Sequence, residues 1–297
     1  MAVGSTRGKR RLGRFVGAIA DREKLNQTEI ADRVQPSRQT VMRLLSGEGL
    51  PKWATVLEIM WAIGASREEI QEAQRLHGIA DVDTKIIPFA DDFSDEYLRL
   101  RMDEAEAELE RTLNQSLIPG QLQTAAFAQA VALKSARRLK PGWAERAGAE
   151  RESRQALLSR EPRPLELHAL IDEAALRKMI GGPEVMAEQL DHLLKESQRT
   201  NVTIQVLPDA LGAYGAHSSP LTLLSFADPD EPDCAYLDGL QGLTIFEGNQ
   251  RKGKGSKKVE PSAADVLSAV WRDVAADALK PNDSVAFISD ILDRVRG

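Results

Sequence analysis

Residues 25–50 read LNQTEIADRVQPSRQTVMRLLSGEGL, and this stretch decides the fold predicted for the amino-terminal part of the chain. Apolar residues recur at helical spacing in its first half and can line one buried stripe. They are Leu25, Ile30, Ala31 and Val34. The pair Gln35–Pro36 then ends the helix, because proline lacks an N–H and disfavours helical backbone at the residue before it. The pattern predicts a short helix followed by a tight turn.

A second short helix is predicted directly after the turn. The hydroxyl of Ser37 can cap it by accepting a hydrogen bond from a backbone N–H of the first turn. Val41, Leu44 and Leu45 would face inward, and Gly47 stands where the helix ends. The outward-facing residues are Arg38, Gln39, Thr40 and Arg43. Two such helices have the layout of a helix-turn-helix, whose second helix enters the DNA major groove.

The distribution of charge favours DNA over the alternative, an ordinary helical hairpin with solvated basic residues. Residues 1–52 contain eleven lysines and arginines against five acids, a net charge of +6. The whole chain of 297 residues has a net charge of −6, so residues 53–297 carry −12. A basic segment joined to an acidic remainder indicates contact with a polyanion. The acidic part would repel DNA and confine the contact to the basic part.

The same stretch resembles the XRE-type family of DNA-binding domains, which includes the Cro and lambda-repressor-like proteins. The matching positions are Leu25, Gln27, Glu29, Ala31, Arg33, Ser37, Arg38, Thr40, Arg43, Gly47 and Glu48. The chain departs from the family at Gln35–Pro36, where Gly-Val is usual, and at Thr28, where an acid is usual. The resemblance implies an all-α DNA-binding domain of five helices.

The predicted contacts with double-stranded DNA fall into two groups. Arginine suits guanine O6/N7 and glutamine suits adenine N6/N7, so base or near-base contacts are assigned to the exposed side of residues 37–45. These are Arg38, Gln39, Thr40 and Arg43. Phosphate contacts that fix the register are assigned to Gln27, Thr28, Ser37 and Lys52. A homodimer would place two recognition helices about 34 Å apart in successive major grooves.

The first fourteen residues, MAVGSTRGKRRLGR, have no apolar run behind their charges and do not form a secretory signal. We expect a disordered tail here in the free protein. Its residues Arg10, Arg11 and Arg14 could contact DNA phosphates.

Two further helices complete the predicted first domain. Residues 51–64 form the first of them, with Trp53 and Trp61 expected in the core or in domain packing rather than stacked on bases. Ser66 and Glu69 form a capping box that opens the second, which is expected to run through about His77.

A domain boundary is predicted at residues 81–96, where helical periodicity is lost and five aspartates and Pro88 occur. The chain is therefore predicted to be a multi-domain protein. A five-helix DNA-binding domain occupies residues 1–80, a linker residues 81–96, and an α+β domain residues 97–297. The α+β domain is assigned to dimerisation and partner binding.

The α+β domain is predicted to place helices around a small sheet. Helices are expected at residues 97–117, after residue 124 to about 138, and at 144–160, 181–197, 262–279 and 283–296. Strands are expected at residues 166–172, 201–208, 220–226, 233–239 and 243–247. The last but one helix is expected to turn Val266, Leu267, Val270, Trp271 and Val274 inward.

Several long segments of this part occur in an order similar to that of actinobacterial regulators of the WhiJ and antitoxin-like kind. They are IPGQLQT at 118–124, RQALLSR at 154–160, LIDEAALR at 170–177, GGPEVMAEQLDHLL at 181–194, NVTIQVLP at 201–208 and ALKPNDS at 278–284. The resemblance implies a transcription regulator with a small toxin-like or BldB-like partner protein. An antitoxin-like module that neutralises the partner and autoregulates its operon is the alternative. The chain departs from the family at residues 247–261.

Motifs for other chemistry are incomplete. GNQRKGKG at 248–255 approaches a phosphate-binding loop, but Gly255 stands where a metal-binding Ser or Thr and a helix start are required. A basic loop at 248–258 is the preferred interpretation. His168, Asp172 and Glu173 could suit acid–base chemistry, but no nucleophile motif accompanies them. The chain is therefore predicted not to be an enzyme and to need no cofactor or metal.

The cysteine content and the apolar runs of the sequence bear on the cellular compartment of the protein. Cys234 is the single cysteine, which excludes an internal disulfide and fits a reducing environment. No apolar run reaches the length of about eighteen residues that spans a membrane. A cytoplasmic location without membrane contact is expected.

Overall fold

Five helices form the amino-terminal fold in the computed structural model, which describes residues 6–82, 87, 89–135, 140–216, 218–228, 231–239, 242–248 and 260–297. They are α1 (Arg7–Arg22), α2 (Gln27–Arg33), α3 (Arg38–Leu45), α4 (Trp53–Ala62) and α5 (Arg67–Val82). One apolar core joins them, and its fully buried members include Leu12, Ile30, Val41, Leu44 and Ile59. The prediction of a five-helix domain is confirmed.

Helix α1 corrects the expectation of a disordered tail. The helix begins at Arg7, and Thr6 Oγ1 caps it by accepting a hydrogen bond from the backbone N–H of Lys9 at 3.3 Å. Leu12, Val16 and Ile19 form a buried stripe at helical spacing. The basic residues interspersed with this stripe concealed it in the sequence. Arg10, Arg11 and Arg14 therefore lie half-buried on a helix.

The two tryptophans of α4 have different environments. Trp53 packs partly buried against the core, and its ring meets that of His77 edge-on, with 5.6 Å between centroids. Trp61 is 64% exposed, so the core placement, one of the two expected for it, is wrong. The predicted capping box of α5 is confirmed by hydrogen bonds from Glu69 N to Ser66 Oγ and from Ser66 N to Glu69 Oε2.

Backbone contacts divide the chain into two units, residues 1–103 and 104–297. Helix α6 (Asp95–Glu106) spans this division and begins inside the segment predicted as a linker. Ile87 and Phe93 of that segment pack against Leu98 and Met102 of α6. The predicted domain limits of 1–80 and 97–297 stay a prediction.

The second unit contains a six-stranded mixed sheet in the order β3-β2-β1-β4-β5-β6. The strands are β1 (Leu109–Asn114), β2 (Glu166–Asp172), β3 (Val202–Leu207), β4 (Leu221–Ser225), β5 (Cys234–Gly239) and β6 (Gly242–Glu247). Strands β1, β2 and β3 are parallel, whereas β4 pairs antiparallel with β1, and β5 and β6 continue antiparallel. The predicted α+β class is confirmed, with five strands where they were expected.

Strand β1 was not expected, because residues 97–117 were predicted to be one helix. Helix α6 ends at Glu106, and β1 lies in the middle of the sheet between β2 and β4. Charged residues at helical spacing in this stretch favoured a helix. In LERTLN, however, residues at alternate positions also share a face, which is the pattern of a strand. Glu110 and Thr112 on one face of β1 are buried.

Among the described residues, six α-helices besides α6 accompany this sheet: α7 (Ala125–Ala132), α8 (Trp143–Gln155), α9 (Glu173–Arg177), α10 (Pro183–Glu196), α11 (Ala263–Asp277) and α12 (Pro281–Arg296). Helix α11 buries Trp271 and Val274 against Leu113, Leu170 and Leu223 of the sheet. Val266 of α11 was expected to face inward but is 51% exposed.

Candidate nucleic-acid interface

Helix α2 begins with a capping box. Asn26 Oδ1 accepts hydrogen bonds from the backbone N–H groups of Thr28 and Glu29 at 2.9 and 3.1 Å. Glu29 Oε2 in turn accepts from the N–H of Asn26 at 2.8 Å. This box was not predicted from the sequence, although Asn26 and Glu29 have the required spacing. The box fixes the start of α2, where the predicted contact residues Gln27 and Thr28 lie.

The turn between α2 and α3 is held from α4. Glu58 Oε1 accepts a hydrogen bond from the backbone N–H of Gln35 at 2.9 Å, and Arg33 Nη1 donates to the carbonyl of Ala62 at 3.3 Å. Gln35 and Pro36 both have negative φ, so the turn uses backbone conformations open to any L-residue. The absence of the usual glycine is therefore compatible with the motif.

Helix α3 has the predicted cap and the predicted buried face. Ser37 Oγ accepts a hydrogen bond from the N–H of Thr40 at 3.3 Å and lies 3.0 Å from Thr40 Oγ1. Val41 and Leu44 are fully buried, and Leu45 packs against the same core. Because its apolar face is anchored in this way, α3 presents its opposite face to solvent.

Helix α1 packs against the last residues of α3 at very short range. A Cβ on Gly13 would lie 2.4 Å from the carbonyl oxygen of Leu44 and 2.8 Å from that of Leu45. Gly47, with φ +70°, follows α3, and a Cβ there would lie 2.6 Å from the Cα of Arg10. Glycine at these positions permits the close approach that sets the position of α3.

The exposed face of α3 borders two shallow depressions. Gln39, Thr40 and Arg43 line the first, together with residues 49–51. Arg38 lines the second with Gln27 and Thr28. Gly17, Ala20, Asp21, Leu25, Asn26 and Leu45 complete the second lining. The structure thus brings six of the eight predicted contact residues into two neighbouring concave surfaces.

The other two predicted contact residues lie at helix starts. Ser37 uses its hydroxyl in the cap of α3. Lys52 is exposed at the N-cap position of α4 and makes no side-chain cap hydrogen bond there. Arg38, Gln39 and Arg43 are exposed and Thr40 is half-buried. Their roles toward DNA stay predictions.

The residues considered for acid–base chemistry in the second unit have separate partners. His168 Nε2 hydrogen-bonds with Gln205 Oε1 at 2.7 Å, and its ring meets Trp271 edge-on. Asp172 caps α9 through the N–H of Ala174 and accepts a hydrogen bond from the hydroxyl of Tyr214 at 2.6 Å.

Glu173 also has its own partners, the guanidinium of Arg177 and the N–H of Asp209, at 2.5 and 2.9 Å. The three residues therefore do not form one hydrogen-bonded group.

The predicted basic loop falls almost wholly on residues 249–259, outside the described residues. Within the described part of the chain, no group of three or more metal-ligating side chains occurs. Among the helices of the described residues, none is both long and apolar enough to cross a bilayer.

A capped helix pair, a fixed turn and an exposed polar second helix define the first unit as a helix-turn-helix of the kind that binds DNA. A family model described as a helix-turn-helix domain matches residues 11–73. A second model, described as a domain of unknown function (DUF5753), matches residues 97–290. Because that match covers more than half of the chain, the chain belongs to the DUF5753 family.

Kinase-interacting protein 1 of Petunia integrifolia is 34% identical over 96 residues, which is 28% of this chain and 10% of that protein. The chain thus spans about a tenth of that relative's length. No solved structure matches the chain.

Proposed function

We propose that this protein is a sequence-specific transcription regulator of the XRE type, with α3 as the recognition helix in the major groove. The observation that carries the proposal is the division of α3 into two faces. Val41 and Leu44 are fully buried, whereas Arg38, Gln39 and Arg43 are exposed. A rigidly held helix with this exposed chemistry suits direct readout of base edges.

The two depressions beside α3 contain six of the eight proposed contact residues. Gln39, Thr40 and Arg43 lie together, and this group is assigned to base edges along with Arg38. Residues at the starts of α2, α3 and α4 are assigned to phosphates, because the positive ends of the helix dipoles lie there and favour an anion. They are Gln27, Thr28, Ser37 and Lys52.

The second unit is assigned to dimerisation and partner binding, as in the WhiJ-like actinobacterial regulators that its sequence resembles. A homodimer would present two α3 helices to half-sites about 34 Å apart. Two recognition helices of eight residues each read more base pairs than one can, which supports a dimer as the binding form.

The test begins with selection of genomic fragments that the full-length protein retains at a stated salt concentration. Arg38→Ala and Gln39→Ala should each weaken binding to the selected operator by about 1–3 kcal/mol while leaving the circular dichroism spectrum unchanged. Arg67→Ala on α5 is the control, since Arg67 is also an exposed arginine. Equal binding of the wild type to operator and scrambled DNA would refute sequence-specific recognition.

A phosphate contact is distinguished by its salt dependence. Lys52→Ala should weaken binding to all sequences alike and reduce the slope of log K against log salt by about one. A change in sequence preference with an unchanged slope would contradict the assignment of Lys52 to a phosphate.

The antitoxin-like alternative keeps the helix-turn-helix for autoregulation and gives the second unit a small toxin-like or BldB-like partner. It rests on the sequence resemblance of the second unit. It predicts that the protein co-purifies with the product of a neighbouring small gene and suppresses that product's toxicity. A small protein that neither binds nor is neutralised counts against it.

A further inference from the structure

The two outer strands of the sheet differ in how their edges are used. At β3, the backbone N–H of Val206 donates to Ser284 Oγ, and its carbonyl accepts from the N–H of Leu279, both at 3.0 Å. The junction of α11 and α12 therefore satisfies the outward backbone groups of Val206 on this edge. Strand β6 forms the other edge, beyond β5.

The hydrogen-bond register shows which groups of β6 point away from the sheet. The N–H of Gly248 donates to the carbonyl of Asp233 at 2.7 Å, so residues 233 and 248 form a hydrogen-bonded pair. Such pairs alternate in an antiparallel ladder, which makes Phe246 and Thr244 the next residues bonded to β5. Leu243 and Ile245 consequently direct their N–H and C=O groups outward.

The hydrogen bonds between β5 and β4 independently lead to the same assignment for β6. The N–H of Asp238 donates to the carbonyl of Pro220 at 3.0 Å, so Asp238 and Tyr236 bond toward β4. Ala235 and Leu237 alternate with these residues and must therefore bond toward β6, where their partners are Phe246 and Thr244.

The composition of β6 does not protect this edge. Exposed edge strands usually carry lysine, proline or a bulge that blocks pairing with another chain. Strand β6 reads GLTIFE, with Glu247 as its single charged residue. Among the described residues, none hydrogen-bonds to the outward backbone groups of Leu243 or Ile245. The side chains of both residues are half-buried and lie on the same face.

We infer that β6 pairs antiparallel with β6 of a second copy, with the two-fold axis at Thr244. This deepens the proposed function by naming the surface of its homodimer. In this register Leu243 lies opposite Ile245 of the partner subunit, and the two residues exchange both backbone hydrogen bonds. The pairing is isologous, so it repeats on the other side of the axis and gives four hydrogen bonds.

Side-chain chemistry favours a second copy over a charged peptide as the occupant. The register places Leu243 against Ile245 twice on one face and Thr244 against its symmetry mate on the other. Apolar and Thr–Thr pairs of this kind stabilise neighbouring strands. No charged residue lies within the paired segment 243–245, so no like charges meet across the axis.

A symmetric cysteine tests the register. Thr244→Cys in a Cys234→Ala background should form a disulfide-linked dimer under mild oxidation, because non-hydrogen-bonded Cα atoms lie about 4.5 Å apart. Glu247→Cys is the control on the same strand, since the two copies would be about 20 Å apart in this register. Failure of the first variant to cross-link, or equal cross-linking of both, would overturn the inference.

A proline tests the edge itself without breaking the sheet. Ile245→Pro removes an outward N–H and leaves the hydrogen bonds to β5, a position that edge strands accept. Sedimentation should give a dimer of twice 32.6 kDa for the wild type and a monomer for Ile245→Pro, with matching circular dichroism spectra. A dimeric proline variant, or a monomeric wild type that leaves the edge to another protein's strand, would refute the pairing.

These measurements contain no DNA. Their failure would therefore remove the β6 interface while leaving DNA recognition to be judged by the operator experiments. Conversely, a Thr244→Cys variant that cross-links, in a protein whose wild type does not distinguish its operator from scrambled DNA, would keep the interface and remove the proposed function.

Discussion

Glu58 Oε1 lies 2.9 Å from the backbone nitrogen of Gln35 and accepts its hydrogen bond. The bond joins α4 to the turn that separates the two helices of the motif. Pro36 has no N–H to offer, and the N–H of the preceding Gln35 supplies the backbone donor of this bond. The orientation of α3 therefore depends on a residue outside the motif.

Removing this acceptor should loosen the turn. Glu58→Ala is expected to lower the free energy of unfolding by about 1 kcal/mol, the usual net worth of one hydrogen bond. Glu58→Gln is the control, because its amide oxygen can still accept from Gln35. Urea unfolding of the three proteins measures the difference, and an alanine variant as stable as the wild type would contradict this account of the turn.

Gly13 is expected to tolerate no side chain. A Cβ there would meet the carbonyl oxygens of Leu44 and Leu45, which are backbone atoms and cannot rotate aside. Gly13→Ala should therefore displace α3 and cost about 1–3 kcal/mol of stability, as overpacking does. Operator affinity should fall as well, since the recognition helix moves.

Gly17 provides the matched control for that substitution on the same helix. A Cβ at Gly17 would lie 4.0 Å from Leu45 Cδ2, an ordinary contact. Gly17→Ala should then raise stability by about 0.5–1 kcal/mol, because alanine loses less backbone entropy in a helix. Thermal unfolding that orders the two variants the other way would show that the α1–α3 contact is looser than the structure has it.

Trp271 should contribute more to the free energy of unfolding than the burial of its apolar surface alone. Its Nε1 donates to the backbone carbonyl of Thr112 at 2.9 Å, and both residues are buried. Trp271→Phe leaves that carbonyl without this donor and is expected to cost about 1–3 kcal/mol. Trp61→Phe, at a 64% exposed site, should change stability by less than about 0.5 kcal/mol. Similar losses from both substitutions would argue against the buried hydrogen bond.

The helix-turn-helix could be predicted because its information is local. The buried face of α3, the cap at Ser37 and the break at Pro36 all lie within a few residues of one another. The hydrogen bond from Glu58 and the support of Gly13 could not be predicted, because those residues lie 23 and 31 positions from their partners Gln35 and Leu44.

Strand β1 shows a second way in which local patterns fail. Glu110 and Thr112 are residue types that usually lie at the protein surface, yet both are buried. Gln121 Nε2 donates to the carboxylate oxygens of Glu110 at 2.6 Å, a partner supplied by the following 3-10 turn. A buried carboxylate is acceptable only when such partners exist, and the tertiary fold alone supplies them.

Two half-buried histidines give the second unit a predictable response to acid. Burial lowers the pKa of His168 below its usual 6.5, with Arg111 acting in the same direction and the hydrogen bond to Gln205 opposing it. Burial also lowers the pKa of His192, opposed by the nearby carboxylates of Glu196 and Glu188 and helped by the charges of Lys195 and Arg199. Each residue is therefore neutral in the folded protein at a pH where the unfolded chain is already protonated.

The sign of the effect follows from proton linkage. Below about pH 6.5 the unfolded chain binds more protons than the folded protein. The contribution of the two histidines to the free energy of unfolding is therefore fully present above that pH and is lost as the pH falls below it. The free energy of unfolding should therefore be lower at pH 5.5 than at pH 7.5. The double variant His168→Gln, His192→Gln should show a smaller drop between these two values, measured by urea unfolding. An unchanged drop in the double variant would assign the pH dependence to other groups.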